Sequence, residues 1–478
     1  MGDRETFGKR VEALRLNVDA LQEVSLHIPD RQNWKVIPNQ EGKRASLQIY
    51  AFITTNDGYI GPEEAERGLE VFGEELREEA RKERGRHPSV DTLEDIAISD
   101  VRVRADVVRR FSDLLLPQRV REAIPGAIKA FGTPFIIYDE IGIRNTLADM
   151  RDAFSWNQGA KEFFAVKACP NPYILDICRD EFVGADCSSL PELDLASAVG
   201  FKGEEIMLSS NDTPARVFRR AKELGAIINF DDISHIEFFE RNVGALPDFC
   251  CVRYNPGSAR VGNAIIGNPT EAKYGMTREQ VFEAIGLLKK MGVKRFGLHT
   301  MVASNELNPD YHVETARMMF ELALDVKKRV GIDVEFVNNG GGWGLGYKPE
   351  QIQLDAFEVG FEINRVYEQM IKRTRETPLK IFMEHGRFVT GNNGWLVTKV
   401  IHKKHIYRDY LGVDASKEDF ARPATYGAYH HLVVLGKENS PQTEVYDVAG
   451  GLCENNDKFA VNRVMPKTGI GDTVVFID

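Results

Sequence analysis

The sequence predicts an α/β protein: a (β/α)8 TIM-type barrel plus a C-terminal all-β domain, with an extra small N-terminal domain in front. Three observations lead there. Eight short β-branched or aromatic runs alternate with amphipathic stretches between residues 163 and 389, and eight parallel strands with crossover helices close most naturally into a barrel. After Gly394 the helical period gives way to strand-like runs with no long helix between them. Before residue 105 the chain is dominated by a charged helical run that resembles nothing later in the sequence.

Taken in order, residues 1–105 predict an accessory domain of unassigned role. Its main element is a helix opening at Gly61-Pro62, GPEEAERGLEVFGEELREEARKERGR, with Glu and Arg at i,i+4 spacings and an apolar stripe of Leu69, Val71, Phe72 and Leu76. This region is faintly similar to a small bacterial family of unknown function. Residues 106–132 are expected to be a connector, with a further helix in VRVRADVVRRFSDLLL. PFIIYD, within residues 133–150, predicts a strand that joins the β-domain. Residues 151–393 predict the barrel, its strands FFAVK, VGADCSS, IMLSS, AIINF, FCCVRYN, RFGLHTMV, FVNNGG and IFMEHGRFV. Residues 394–478 predict the β-domain, from WLVTKVIHKK to DTVVFID.

Composition excludes several classes. The chain has 478 residues, a net charge of −11 and 43% hydrophobic residues, an ordinary globular balance with no basic arm for nucleic acid. No run approaches the roughly 18 apolar residues of a membrane span, and the start lacks the apolar segment of a secretion signal. Six cysteines show neither CxxC nor Cys/His spacing, so no metal is expected, and they are too sparse for a disulfide scaffold; a reducing cytoplasm is the expected compartment.

In a barrel, reactive groups belong at the C-terminal ends of strands, and polar residues stand there: Lys167, Asp186 with Ser189, Arg253 and Asn255, His299 and Ser304, Gly340-Gly341-Gly342, and Glu384 with Arg387. Four apolar residues before Lys167 predict a buried amine, where desolvation favours attack on a carbonyl; the plainer reading is a lysine snorkelling from a strand end. Three consecutive glycines let backbone N–H groups approach a phosphate, or simply make a tight turn. Glu384 can hold a heterocyclic N–H or pair with Arg387.

Together these residues resemble the ornithine and diaminopimelate decarboxylase family of pyridoxal-phosphate enzymes, barrel-plus-β-domain relatives of alanine racemase. FAVKA is similar to the family's Tyr-Ala-Val-Lys-Ala segment, ADCSSLPEL to its Asp-x-x-Ser-x-x-Glu segment, NGGGWG to its phosphate glycines, and MEHGR to Glu-Pro-Gly-Arg with His385 for proline. The resemblance covers residues 133–478. It implies pyridoxal 5'-phosphate held by Lys167, Asp186, Ser189, His299, Ser304, Gly340, Gly341, Gly342, Glu384 and Arg387. ARPATYGAYH and GGLCENND carry the pattern of diaminopimelate decarboxylases, implying that Arg387, Arg422, Tyr426 and Glu454 meet the substrate and that Lys167 or Cys453 returns a proton.

The implied reaction is decarboxylation of meso-2,6-diaminopimelate to L-lysine and carbon dioxide in lysine biosynthesis. A homodimer with shared active sites is implied as well, Cys453 coming from the partner subunit. The alternatives are decarboxylation of another diamino acid or carboxylated polyamine, and cofactor binding without catalysis. Glu384 disfavours a racemase, since racemases of this fold have arginine there. Three departures stand out: Met301 where the family has a histidine, Ala303 for a glycine, and an end at GDTVVFID, ahead of a family segment bearing a tyrosine. That last departure implies either a truncated chain or a branch without the tyrosine.

Overall fold

The computed structural model describes residues 10–11, 14, 21–27, 35–38, 43–55, 59–99, 102–109, 116–261, 267–348, 351, 353–438 and 440–477. The chain divides into two compact units, Met1–Pro125 and Gly126–Asp478.

In the first unit, β1 (Leu21–His27), β2 (Lys35–Pro38), β3 (Tyr59–Ile60) and β4 (Val103–Arg109) form an antiparallel sheet in the order β2-β1-β4-β3. Helices Arg44–Ile53, Pro62–Phe72, Glu74–Lys82 and Pro88–Ala97 accompany it, and Val24, Leu26, Leu47, Tyr50, Leu69, Phe72, Leu93 and Val103 share one apolar core. The charged run from residue 62 is two helices rather than one, because Gly73 takes φ +89°, a left-handed conformation that ends the first. Arg77 ties the pieces together with bonds to Glu66 at 2.9 and 2.8 Å and a further contact to Glu94.

The helix expected over residues 101–116 is corrected: residues 103–109 are β4, paired with both β1 and β3. Its apolar residues recur with a period of two, burying Val103 and Ala105, and that alternation suits a sheet rather than a helix. Residues 110–115 of that stretch lie outside the described residues.

The second unit begins with β5 (Phe135–Tyr138). Eight strands follow: β6 (Lys161–Ala165), β7 (Gly184–Cys187), β8 (Ile206–Ser209), β9 (Ile227–Phe230), β10 (Phe249–Tyr254), β11 (Arg295–Thr300), β12 (Phe336–Asn338) and β13 (Lys380–His385). They pair in parallel in chain order, and β13 closes on β6. A plug of Phe163, Met207, Ile227, Phe249, Cys251, Phe336 and Phe382 fills the barrel, with Phe336 stacked on Phe382 at 4.2 Å. A Cβ on Gly297 would meet the Phe336 ring at 2.1 Å, so only hydrogen fits there. The filled interior leaves the strand ends as the place for a site. Helix Glu140–Ala153 adds Ile143, Leu147 and Met150 to the layer packed outside the strands.

Several strands end sooner than the sequence runs suggest. β6 stops at Ala165, β7 at Cys187 and β12 at Asn338, so Lys167, Ser189 and the glycine triplet stand in the loops beyond.

The β-domain is organised on β14 (Gly394–His405), which pairs antiparallel with β15 (Asp409–Val413) and with β19 (Thr473–Ile477). β16 (Leu432–Val434) extends the β19 side; β17 (Gln442–Ala449) and β18 (Lys458–Pro466) extend the β15 side. β5 also pairs with β14, Phe135 opposite Val397 and Tyr138 opposite Gly394. No helix among the described residues is long and apolar enough to cross a membrane.

Candidate active site

A cavity of about 920 Å³ lies at the C-terminal ends of the barrel strands. Lys167, Asp186, Ser209, Arg253, His299, Ser304 and Glu384 line it from the barrel; Tyr138, Trp395, Phe420, Arg422 and Phe476 line it from the β-domain and its joining strand.

Lys167 sits in the short 3-10 turn Val166–Ala168 that follows β6. The apolar residues before it, Phe163 and Phe164, are fully buried, and they carry the chain to the cavity's edge. The amine itself is not buried, contrary to expectation: the strand ends two residues early, and Lys167 stands exposed on the cavity wall.

Glu384, one residue from the end of β13, sits in a dense polar cluster. It accepts hydrogen bonds from Asn338 Nδ2 at 2.7 Å and Ser209 Oγ at 3.3 Å, and meets His299 Nε2 at 2.9 Å. Burial acts to raise this carboxyl, but the contact with His299 and the charges of Arg253 and Lys167 together outweigh it and hold Glu384 below the usual carboxylate range. Asp186 goes the other way. Burial and then the Glu384 charge push it well above the usual range, with Lys167 opposing them. The two acids thus differ in role: Glu384 stays ionised while Asp186 resists ionisation.

Three buried polar atoms at this wall, Asp186 Oδ1, His299 Nδ1 and Arg253 Nε, have no hydrogen-bond partner among the described residues. Such atoms are costly unless something polar meets them. Arg253 is otherwise held by Asp231 and Asn211, each at 3.2 Å, and lies over the Tyr274 ring at 4.2 Å.

The glycine loop is shaped by close approach of backbone to backbone. A Cβ on Gly341 would lie 2.0 Å from the Glu384 carbonyl oxygen, and one on Gly342 2.5 Å from that of Ala303. Gly342 lines the cavity. Gly340 and Gly341 do not, and their N–H groups are already given to Asn338 Oδ1 at 2.8 Å and to Met301 Sδ at 3.3 Å.

Arg387, just past the end of β13, and Arg422, from the β-domain, lie over the same ring, Tyr347, at 5.9 and 4.8 Å. Two guanidiniums converging on a cavity wall suit a carboxylate.

Other expected residues stand elsewhere. Ser189 does not line the cavity; its hydroxyl donates to Glu192 Oε1 at 2.8 Å at the start of helix Leu190–Val199, and Ser188 takes the wall position instead. Because β7 ends at Cys187, the residue turned inward is the first after the strand. Tyr426, at the end of the five-residue helix Arg422–Tyr426, is 78% exposed and outside the cavity. Cys453 and Glu454, in the turn between β17 and β18, are also exposed and outside this chain's cavity, with Glu454 paired to Lys417.

Sequence reasoning passed over Ser209 and Asn338, the partners of Glu384, although both end barrel strands and the strand-end rule could have found them. It also passed over Tyr347 and Glu162. The latter accepts the His385 backbone N–H at 2.6 Å and meets its Nδ1 at 3.0 Å.

Residues 141–391 match the family described as pyridoxal-dependent decarboxylase, pyridoxal binding domain. Residues 7–107 match a family described as an uncharacterized protein conserved in bacteria. Protein TabA of Pseudomonas amygdali pv. tabaci is 36% identical over 73% of this chain and 81% of its own length. Diaminopimelate decarboxylase of Methanothermobacter thermautotrophicus is 29% identical over 73% of this chain and 82% of its own. Among solved structures, diaminopimelate decarboxylase of M. jannaschii in complex with L-lysine superposes with a TM-score of 0.68 at 26% identity, covering 74% of this chain and 84% of that one. The Helicobacter pylori enzyme with L-lysine gives 0.66 at 24% identity, over 74% and 88%, a likeness of fold. A polar barrel mouth facing a β-domain, with a family match spanning the barrel, places this chain among the pyridoxal-phosphate-dependent decarboxylases, carboxy-lyases related to diaminopimelate decarboxylase.

Proposed function

We propose that the protein decarboxylates meso-2,6-diaminopimelate to L-lysine and carbon dioxide. The observation that carries this reading is that one cavity is lined by an amine and a charged acid, Lys167 and Glu384, and by two arginines that meet over Tyr347, Arg387 and Arg422. A substrate with amino-acid groups at both ends uses both. Ornithine has no distal carboxylate for the arginines.

The residues present fit pyridoxal phosphate. Unpartnered Asp186, His299 and Arg253 atoms call for a polar ligand at the barrel wall, and Lys167 offers an amine that can condense with an aldehyde. Lys167, Asp186, His299 and Glu384 would hold the ring end, with Gly342, Ser304 and Ser188 near the phosphate. When bound, the cofactor supplies an electron sink for the pair left behind as the carboxylate departs. Glu384, ionised and fixed by Asn338, Ser209 and His299, keeps a proton on the ring nitrogen. Lys167 then returns a proton to the substrate carbon. The aromatic wall of Tyr138, Trp395 and Phe476 limits water at that carbon.

Cys453 and Glu454, exposed outside this chain's cavity, are assigned to the cavity of a second copy in a homodimer, where Cys453 is the other candidate proton donor. All six cysteines are free thiols, which suits a cytoplasmic enzyme. Decarboxylation of another diamino acid or a carboxylated polyamine is the second reading, since the 36%-identical relative carries a name other than diaminopimelate decarboxylase.

The test is turnover. Purified protein should release carbon dioxide from meso-diaminopimelate and not from lysine or ornithine. Its visible cofactor absorbance band should vanish in Lys167→Ala, with a loss of rate of at least about a hundredfold. Faster turnover of ornithine would overturn the roles given to Arg387 and Arg422.

A further inference from the structure

Behind Arg422 lies His430, fully buried and outside the cavity lining. Its Nε2 is 3.1 Å from Arg422 Nη1 and its Nδ1 is 3.2 Å from the carbonyl oxygen of Ile477 on β19. A guanidinium can only donate and a carbonyl can only accept, so the two neighbours fix the tautomer: Nδ1 carries the hydrogen and gives it to Ile477, while Nε2 receives one from Arg422.

The ring is held as firmly as its hydrogen bonds. Phe420 and Tyr347 meet it edge-on, with centroids at 4.4 and 4.9 Å, and the His430 carbonyl accepts from Arg463 Nη1 at 3.0 Å. Ile477 is in turn paired with Trp395 of β14, a buried residue of the domain's central strand. Burial and the neighbouring arginines push the imidazole down to about 3, so it remains a neutral acceptor throughout the working range. Arg422 is therefore gripped twice, by its face against Tyr347 and by one edge against His430.

We propose that His430 is a positioning residue which immobilises Arg422 and so turns the β-domain side of the cavity into a gauge of substrate length. The inference rests on the reading of Arg422 as the group that meets a distal carboxylate. An arginine free to swing would follow carboxylates set at different distances. One tied through imidazole to the β-sheet rewards a single distance, and a single methylene then changes binding by the tenfold or more that a fitted site can extract.

The experiment compares 2,5-diaminoadipate, 2,6-diaminopimelate and 2,7-diaminosuberate, one methylene apart, as substrates of the cofactor-loaded full chain. The native protein is expected to prefer one length by at least about tenfold in kcat/KM. His430→Phe keeps the ring and removes both hydrogen bonds; it should flatten the preference to within about threefold, chiefly through KM. His430→Gln, whose carbonyl can still accept from Arg422, should restore most of it. Arg422→Ala should raise KM for all three. Unfolding midpoints and the visible cofactor band report whether each variant is intact.

The outcomes separate the two ideas. If Arg422→Ala leaves every KM unchanged, the reading of Arg422 falls. If Arg422→Ala raises KM while His430→Phe keeps the length preference, that reading stands and the positioning role is wrong. A native protein with no length preference also overturns it. Should His430→Phe fail to fold, His430→Asn, which keeps the donor to Ile477 but falls short of Arg422, is set against His430→Gln; equal preferences in those two would refute the proposal.

Discussion

At the barrel end of the cavity, Glu384 is 8% exposed and gripped by side chains from three other strands, whereas at the β-domain end Arg422 comes from a five-residue helix and lies over a tyrosine ring. Parallel strands hydrogen-bonded along their length hold their last residues rigidly, and a charged acid there keeps its place without help from substrate. Short irregular elements do not hold a charge so well alone. Arg422 instead borrows rigidity from the β-sheet through a neutral histidine. The difference teaches that chemistry common to a family can be written into a barrel, while selectivity is left to parts that can change without disturbing it.

That contrast can be broken most forcefully at Glu384. Glu384→Gln should lower kcat by about a hundredfold or more with KM little altered, since the lost charge acts on the reacting ring and not on the distal group. It should also lower the Asp186 carboxyl, whose rise is due to burial and then to Glu384. A comparable change in KM alone would show that the barrel end binds rather than drives the reaction. Arg422→Ala should act in the opposite sense: KM for diaminopimelate rises about ten- to hundredfold, the value of a charged hydrogen bond, and kcat falls less.

Acid should distinguish the ends by a different route. His430 behind Arg422, His431 beside it and His312 near the glycine loop are all pushed down by burial, to about 3, 4 and 4, from an ordinary 6.5. As pH falls through 6.5 the unfolded chain takes up protons that the folded chain refuses. Stability contributed by these neutral rings is therefore lost progressively below about pH 6.5, by up to about 1.4 kcal/mol per pH unit for each ring, until their folded values are reached. Urea unfolding at pH 7, 6 and 5 measures it, and His430→Gln should lessen the fall. The smallest effect is expected at Ser189→Ala: a loss of about 0.5–1 kcal/mol in unfolding free energy from the Glu192 contact, with kcat/KM unchanged.

Much of the barrel end was legible beforehand because strand periodicity shows where each strand delivers its last side chain. Asp186, His299 and Glu384 follow from it. Where the reading missed by a residue or two, the strand boundary was the cause: β7 ends at Cys187, which puts Ser188 and not Ser189 on the wall, and β6 ends at Ala165, which leaves Lys167 exposed. Ser209 and Asn338 were passed over because serine and asparagine at strand ends also read as turn residues. The β-domain end was less legible. Arg422 belongs to a recognisable motif, but that Tyr347 lies beneath it and His430 behind it depends on how three separated segments fold together, and no local period records that. In the first unit β4 was misread because apolar residues alternating with arginines also suit a charged helix when the window is short.

The pairing of β5 with β14 sets a condition on how the second unit comes into being. The ribosome delivers residues 135–138 first, and residues 394–397, their partners, follow only after roughly 250 more have been made. Throughout that interval an apolar strand waits with an open edge, a template for wrong partners. The four-residue segment that lends Tyr138 to the cavity wall is therefore also the one that most needs protection during synthesis.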